Sequence, residues 1–304
     1  MGWRFTVSDW SDQRSAKPVL SRFGIFLKAQ QHAGQGRTGR SVLKVVIHQG
    51  FHKTGTTTLQ KTLSKNREYL KDRVNVLLPD DLQEASLAAR RYAVSPKDRT
   101  LRNFGTIVRE ALKPFADQGG KPLLISNEEF AGLIPGRKGV WSYEQTHVLA
   151  KTLLDEVLRL TDDADRIIYL FTTRNAADWI RSTYWQNLSS HRIREDLSQY
   201  GKALQQGADL EAVVRRVKEA VSPRAEVESV NVSGLGDHDF PLIKALSILN
   251  VRSDRLITSD NGNVQPAGGT DYFLDLNRSN LSDEEVAAAR RAYLDKLKRS
   301  NGIH

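Results

Sequence analysis

The residues with the clearest chemical use sit together in Gly50-Phe51-His52-Lys53-Thr54-Gly55-Thr56-Thr57. Two glycines at this spacing, followed by hydroxyl side chains, match the start of the phosphate-loop pattern GxxxxGK[ST]. Gly55 lets the backbone turn so that successive N–H groups face an anion, and a helix N-terminus adds its partial positive charge. Thr56 and Thr57 can donate from their hydroxyls. One position departs from the pattern. An ATP-binding loop has lysine directly after the second glycine, whereas here that position is Thr56 and the lysine comes earlier, at Lys53. The stretch therefore predicts an anion approached by Lys53 from the loop, with a ligand-free Gly/Thr turn as the plain alternative.

The flanking residues supply the elements such a loop needs. "VLKVVIH" before it predicts a buried strand, and "TTLQKTLSKNREYL" after it a helix with Leu59, Leu63 and Leu70 near one face. Further strands are expected at "RVNVLLP", "KPLLIS", "DRIIYLFTT" and "EVESVNV". Helices are expected at "DLQEASLAARRYAV", "TLRNFGTIVREALKPF", "SYEQTHVLAKTLLDEVLRL", "NAADWIRSTYWQNLSS", "DLEAVVRRVKEAV" and "DFPLIKALSIL". A last helix follows in "LSDEEVAAARRAYLDKLKRS", where Ser282 and Glu285 are spaced as a capping box. This alternation predicts an α/β fold with a mainly parallel sheet. Ligands of such sheets sit beyond the carboxyl ends of the strands. Polar residues at strand ends therefore matter most: the loop itself, Glu128 and Glu129 after "LLISN", and Arg174 after "LFTT".

"HKTGTTTLQ" resembles the 5′-phosphosulfate loop of sulfotransferases that use 3′-phosphoadenosine 5′-phosphosulfate (PAPS), above all the "KTGTT.LQ" form of bacterial members. The resemblance implies a three-layer P-loop-type fold, a central parallel sheet flanked by helices. It implies Lys53 at the oxygen bridging phosphate and sulfate, and Thr54, Gly55, Thr56 and Thr57 around the 5′-phosphate, with His52 and Thr58 beside them in the donor site. Members acting on aryl and steroid acceptors usually carry Trp where this chain has Thr58, which points away from that branch. The family grips the 3′-phosphate with an Arg at a strand end and a Ser eight residues later. "TTRNAADWIRSTYWQ" offers Arg174 and Ser182 at that spacing. An arginine fork suits two phosphate oxygens. Asp178 as helix cap would set Ser182 just past the first turn, facing Arg174. A surface ion pair beside an unrelated serine is the plain reading of the same residues. Trp179, Tyr184 and Trp185 on this helix are expected in the core, with adenine or acceptor contact as the alternative.

Sulfuryl transfer to an alcohol needs a group that takes the hydroxyl proton and positive charge near the departing phosphate oxygen. "LLISNEEF" resembles the "ISSE" segment of bacterial sulfotransferases, whose glutamate enters the acceptor site. This implies Glu128 as the base. Alternatively, Glu128 and Glu129 simply open a helix as N-terminal acids. His48 and His52 are further candidate bases, and His48, ending a buried strand, could instead brace the loop. "DLNRSNLSDEE" resembles the N-x-S segment near the C-terminus of carbohydrate-type members, which implies Asn277, Arg278 and Ser279 near the nucleotide. A plain loop before a capped helix explains it equally well. "VSGLGDHDF" lacks the GxxGxxK signature of cytosolic sulfotransferases. No metal is expected, because a sulfuryl group carries less charge than a phosphoryl group and the sequence shows no obvious ligand cluster.

Composition bounds these readings. The chain has 304 residues, 39% hydrophobic and 27% charged, the ordinary balance of a water-soluble protein. No apolar run reaches the roughly 18 residues of a membrane span. "MGWRFTVSDWSDQRSAKPVL" has no apolar core of a secretory signal. The chain has no cysteine, which excludes disulfides and thiolate-bound metal and fits a cytoplasmic setting. Net charge is +9, and residues 1–40, with seven Lys/Arg against two Asp/Glu, supply +5 of it. Such charge favours anionic partners. Zinc-ligand spacing, an aromatic RNA-binding signature and a helix-turn-helix are all missing, so specific nucleic-acid recognition is not expected. The expected organisation is a basic, flexible extension over 1–40 and a single α/β domain over 41–304. The expected activity is transfer of a sulfuryl group from PAPS to a hydroxyl of a saccharide or glycolipid, by in-line displacement. Two other classes stay open. A P-loop small-molecule kinase predicts Mg²⁺ dependence and a lysine after Gly55, which is absent, and a nonenzymatic nucleotide- or polyanion-binding module predicts binding without turnover.

Overall fold

A computed structural model describes residues 42–116, 120–161, 165–235, 238–258 and 268–300. The expected extension over 1–40 lies outside the described residues. Five strands form one sheet: β1 (Lys44–His48), β2 (Asn75–Leu77), β3 (Leu123–Ser126), β4 (Arg166–Thr173) and β5 (Glu226–Asn231). They pair in the order β2-β3-β1-β4-β5, every pair parallel. Parallel pairing demands crossovers, and the crossovers here are helical. They are α1 (Thr56–Lys65), α2 (Arg67–Leu70), α3 (Gln83–Val94), α4 (Asp98–Leu112), α5 (Thr146–Val157), α6 (Ala176–Leu188), α7 (Leu197–Leu204) and α8 (Leu210–Val221). After β5 come α9 (Phe240–Ile248), α10 (Gly269–Arg278) and α11 (Asp283–Ser300).

Period-2 alternation along the strands divides the core into two layers. Val45, Ile47, Leu123, Ile125, Tyr169 and Phe171 point to one face, where α3, α4, α5, α6 and α8 cover them. Val46, Leu124, Ile168 and Leu170 point to the other, under Leu59 and Leu63 of α1, Leu70 of α2 and Leu242, Ala245 and Leu246 of α9. Strands buried on both faces read as continuous apolar runs, which is why "KVVI" and "RIIYLF" stand out in the sequence. The result is the three-layer α/β arrangement with a P-loop-type strand–loop–helix at its centre.

Three local features differ from expectation. The helix expected over 57–70 breaks at Asn66, whose buried amide donates to Thr62 O at 2.7 Å and Ile257 O at 2.9 Å while its Oδ1 accepts from Ile257 N. The long helix expected from Ser142 begins only at Thr146, where the threonine hydroxyl donates to Ala131 O at 2.7 Å. Helix α7 was not expected, yet its signal is present: Asp196 and Gln199 form a capping box. The box expected at Ser282 and Glu285 also forms, with Ser282 N donating to Glu285 Oε2 at 2.7 Å.

Candidate functional site

β1 lies between β3 and β4, so the loop leaving β1 is flanked by the carboxyl ends of both neighbours. A cavity of about 730 Å³ opens there. Its walls come from four strand ends: the loop after β1, Glu128 and Glu129 after β3, Arg174 after β4, and Val232 to Leu235 after β5. At roughly 4.8 Å per strand spacing, the span from the β3 end to the β5 end is about 14 Å.

The loop between β1 and α1 is held from behind by a line of buried polar groups. The Thr54 hydroxyl donates to Phe51 O at 2.6 Å. That uses its one proton, so the 2.7 Å contact with Thr172 must be Thr172 donating. Thr172 Oγ1 then accepts from His48 Nε2 across a longer 3.5 Å, and Ser126 donates to His48 Nδ1 at 2.8 Å. This direction of protons fixes His48 as the neutral Nε2–H tautomer. Burial agrees, lowering its pKa from 6.5 to about 4. His48 and Thr54 are both 0% exposed and off the cavity wall. The His48 ring and the Thr54 hydroxyl thus brace the loop from behind, the alternative weighed for His48, and their side-chain hydrogen bonds are made within the protein.

The rest of the loop faces the cavity. Gly50 and Gly55 both have positive φ, at 39° and 88°, and so does Lys53, at 69°. A non-glycine residue there is held by its surroundings: Lys53 O accepts from Arg174 at 3.4 Å, His52 O accepts from the indole of Trp179 at 3.0 Å, and Lys53 Nζ donates to Gln186 at 3.3 Å. Trp179 is buried, as expected for core, and has this second task. Tyr184 is likewise buried, and Trp185 packs on Phe273. Gly55 occupies the N-cap position of α1, and Gly55, Thr56, Thr57 and Thr58 line the cavity. The Lys53 ammonium has a lowered pKa, first from burial and then from the nearby charges of Arg174 and Arg137.

His52 is also fixed. Its backbone N–H donates to the Tyr143 hydroxyl at 3.2 Å, and that hydroxyl is 2.8 Å from His52 Nδ1. Burial keeps Tyr143 protonated, so it donates to Nδ1. The other ring nitrogen, Nε2, points at Glu129 Oε2 3.5 Å away. Glu129 also meets Arg90 at 3.4 Å. Burial alone would raise its pKa, but His52, Arg90 and Arg137 outweigh burial and lower it. Glu128 differs: it lies on the same wall and accepts from Gln60 at 2.6 Å. The two acids do begin a short 3₁₀ turn, capped by the Asn127 side chain on Glu129 N. This placement leaves Glu128 on the cavity wall.

Arg174 and Ser182 both line the cavity. The cap of α6 is Asn175, not Asp178, so Ser182 stands about two turns into the helix rather than one. Asp178 instead accepts from Ser233 at 3.4 Å, tying α6 to the β5–α9 connection. Asn277, Arg278 and Ser279 do not line the cavity. Asn277 is buried, with its amide shared among the carbonyls of Leu188, His191 and Ile193, while Arg278 donates to Arg194 O and Ser279 to Leu276 O. This segment locks α10 onto the chain after α6, the plain structural role weighed for it. Sequence reading missed Lys61, Arg90, Arg137, Ser233 and His238 on the wall. Lys61, five residues along α1 from Thr56, was the one with a readable signal.

Fold and loop together define a P-loop-type α/β protein. No family model matches the chain, and no curated protein matches it. Among solved structures, the sulfotransferase from Alicyclobacillus acidocaldarius aligns over 78% of this chain and 93% of its own, with 13% identity and a TM-score of 0.41. A structure from the PezAT chromosomal toxin-antitoxin system of Streptococcus pneumoniae aligns over 85% of this chain and 89% of its own, with 11% identity and a TM-score of 0.32. Likeness at this level does not assign an activity. No helix among the described residues is long and apolar enough to cross a membrane.

Proposed function

We propose that the protein is a PAPS-dependent sulfotransferase acting on a hydroxyl acceptor, a saccharide or glycolipid. The observation that carries this reading is the convergence of Lys53, Arg174, Ser182 and Glu128 on one cavity, although they span 129 positions of sequence. In this reading the loop N–H groups and the hydroxyls of Thr56, Thr57 and Thr58 hold the 5′-phosphate at the N-terminus of α1. Arg174 and Ser182 hold the 3′-phosphate, on the β4 side of the loop. Glu128, on the β3 side, takes the proton of the acceptor hydroxyl as its oxygen attacks sulfur. The S–O bond to the phosphate breaks on the opposite side, and Lys53 meets the charge that develops on the departing oxygen. A lowered lysine pKa suits that task, because it brings the ammonium closer to giving up its proton.

The test is turnover. Wild-type protein with PAPS and a panel of hydroxyl acceptors should release adenosine 3′,5′-bisphosphate in step with a sulfated product. Hydrolysis of ATP to ADP in place of this, dependent on Mg²⁺, would support the kinase reading instead.

A further inference from the structure

Of the three arginines on the cavity wall, Arg90 pairs with Glu129 and Arg174 is assigned to the donor, which leaves Arg137. Arg137 sits at a tight turn between β3 and α5, where Gly136 N donates to Val140 O at 2.8 Å and Val140 N to Arg137 O at 2.9 Å. Its Nε donates to Asn187 Oδ1 at 2.7 Å and its Nη2 to Ser190 Oγ at 3.1 Å. Asn187 is itself 0% exposed and anchored, its amide donating to Pro135 O and to the Tyr200 hydroxyl. The guanidinium is thus aimed by neutral oxygens. Among the described residues no carboxylate stands at ion-pair distance from it; Glu129, which meets Arg90 at 3.4 Å, is near enough to offset part of the burial of Arg137. Its Nη1 has no protein partner among those residues. Burial lowers the pKa of Arg137, the mark of a cation partly stripped of water.

A half-buried guanidinium whose hydrogen bonds go to neutral oxygens, with one edge free toward the cavity, is shaped for a carboxylate or sulfate. The position is specific as well. The turn that carries Arg137 follows β3, as do Glu128 and Glu129, and Leu133 and Ile134 of the same connection also line the wall. The Arg137 guanidinium reaches the C-terminal end of α6, at Asn187 and Ser190, beyond Ser182 on that helix.

We propose that Arg137 sets acceptor specificity by holding an acidic group, a carboxylate or a sulfate ester, on the molecule whose hydroxyl is sulfated. The acceptor is then an acidic saccharide rather than a neutral one. This rests on the sulfotransferase reading for the word acceptor, but the anion site can be tested apart from it. Protein saturated with adenosine 3′,5′-bisphosphate is titrated by NMR with inorganic sulfate, with D-glucuronate and with the glucuronate methyl ester. Wild type should bind sulfate and glucuronate and bind the ester about tenfold more weakly, the scale of a lost charge-assisted hydrogen bond. Arg137→Gln should weaken both anions about tenfold and leave the bisphosphate affinity within about twofold. Arg137→Lys, which keeps the charge and loses the fork, should fall between, and thermal melts confirm that each variant is folded. Four results overturn the proposal: no glucuronate binding by wild type, equal binding of acid and ester, anion binding unchanged in Arg137→Gln, or anion binding lost in Lys53→Met but kept in Arg137→Gln. The last assigns the anion to the donor's sulfuryl position. If the bisphosphate itself fails to bind, the sulfotransferase reading fails separately, while the same titrations without it still decide the anion site.

Discussion

Glu128 and Glu129 are neighbours in sequence and separate in role. Glu129 is committed to His52 and Arg90, which stabilise its charged form and make it a poor proton acceptor. Among the described residues, Glu128 meets a neutral amide donor, Gln60. Glu128→Gln should therefore leave bisphosphate binding within about twofold and lower kcat by about 10²–10⁴, the usual worth of a general base. Full turnover by the variant, measured as bisphosphate release, would remove Glu128 from that role. Arg174→Ala should weaken adenosine 3′,5′-bisphosphate about 10- to 100-fold and leave ADP unchanged, since only the former carries the phosphate this arginine is proposed to hold. Titration calorimetry of both ligands checks it. His48 gives a pH prediction. Its pKa is lowered from 6.5 to about 4 in the fold, so between those values the unfolded chain binds more protons and stability falls as pH falls. From pH 7.5 to 5 the His48 contribution to this loss should be about 2 kcal/mol, and His48→Gln should reduce the slope by that amount whatever its own stability. Urea midpoints at the two pH values, compared between wild type and variant, measure it.

At the scale of elements, the glycines of the phosphate loop are not equivalent. Gly50 has φ +39°, and a β-carbon there would lie 2.7 Å from Thr56 Cγ2. Gly55 has φ +88° with open space around it. Gly55→Ala should cost about 1 kcal/mol of backbone strain, and Gly50→Ala roughly 2–3 kcal/mol, because it adds a clash with a side chain at the start of α1. Chemical denaturation of the two variants should rank them in that order. The same loop shows what a sequence reveals and what it hides. Apolar runs and the Gly/Thr spacing were enough to read the β1–loop–α1 unit, because each signal is local. Trp179 under His52, and the His48–Thr172–Thr54 line behind the loop, join residues over a hundred positions apart, and no local pattern encodes them. The break at Asn66 was hidden for the same reason, since its partner is Ile257. Arg90 and Arg137 read as ordinary surface charge until α3 and the turn after β3, respectively, carry them to the cavity. Asn277, Arg278 and Ser279 show the converse: a short motif looked chemical, yet its hydrogen bonds serve packing.

For the whole molecule, the parallel order β2-β3-β1-β4-β5 does the assembling. It sets β3 and β4 on either side of β1 and so gathers an acid, a lysine loop and an arginine that are far apart in the chain. The alternation of strands and helices made this architecture legible, and Arg174 and Glu128 could be singled out as strand-end residues. That they meet in one cavity was implied by the family resemblance and by no local pattern, because strand order is a property of the folded sheet. Five Lys/Arg residues line that cavity against three acidic ones, so it favours an anion with charge at more than one place. The most direct test of the central claim is a calorimetric titration of the wild-type protein with adenosine 3′,5′-bisphosphate and, separately, with ADP. The account predicts one bisphosphate per chain, bound at least about tenfold more tightly than ADP. Equal affinity for the two, or a preference for ADP, would contradict it.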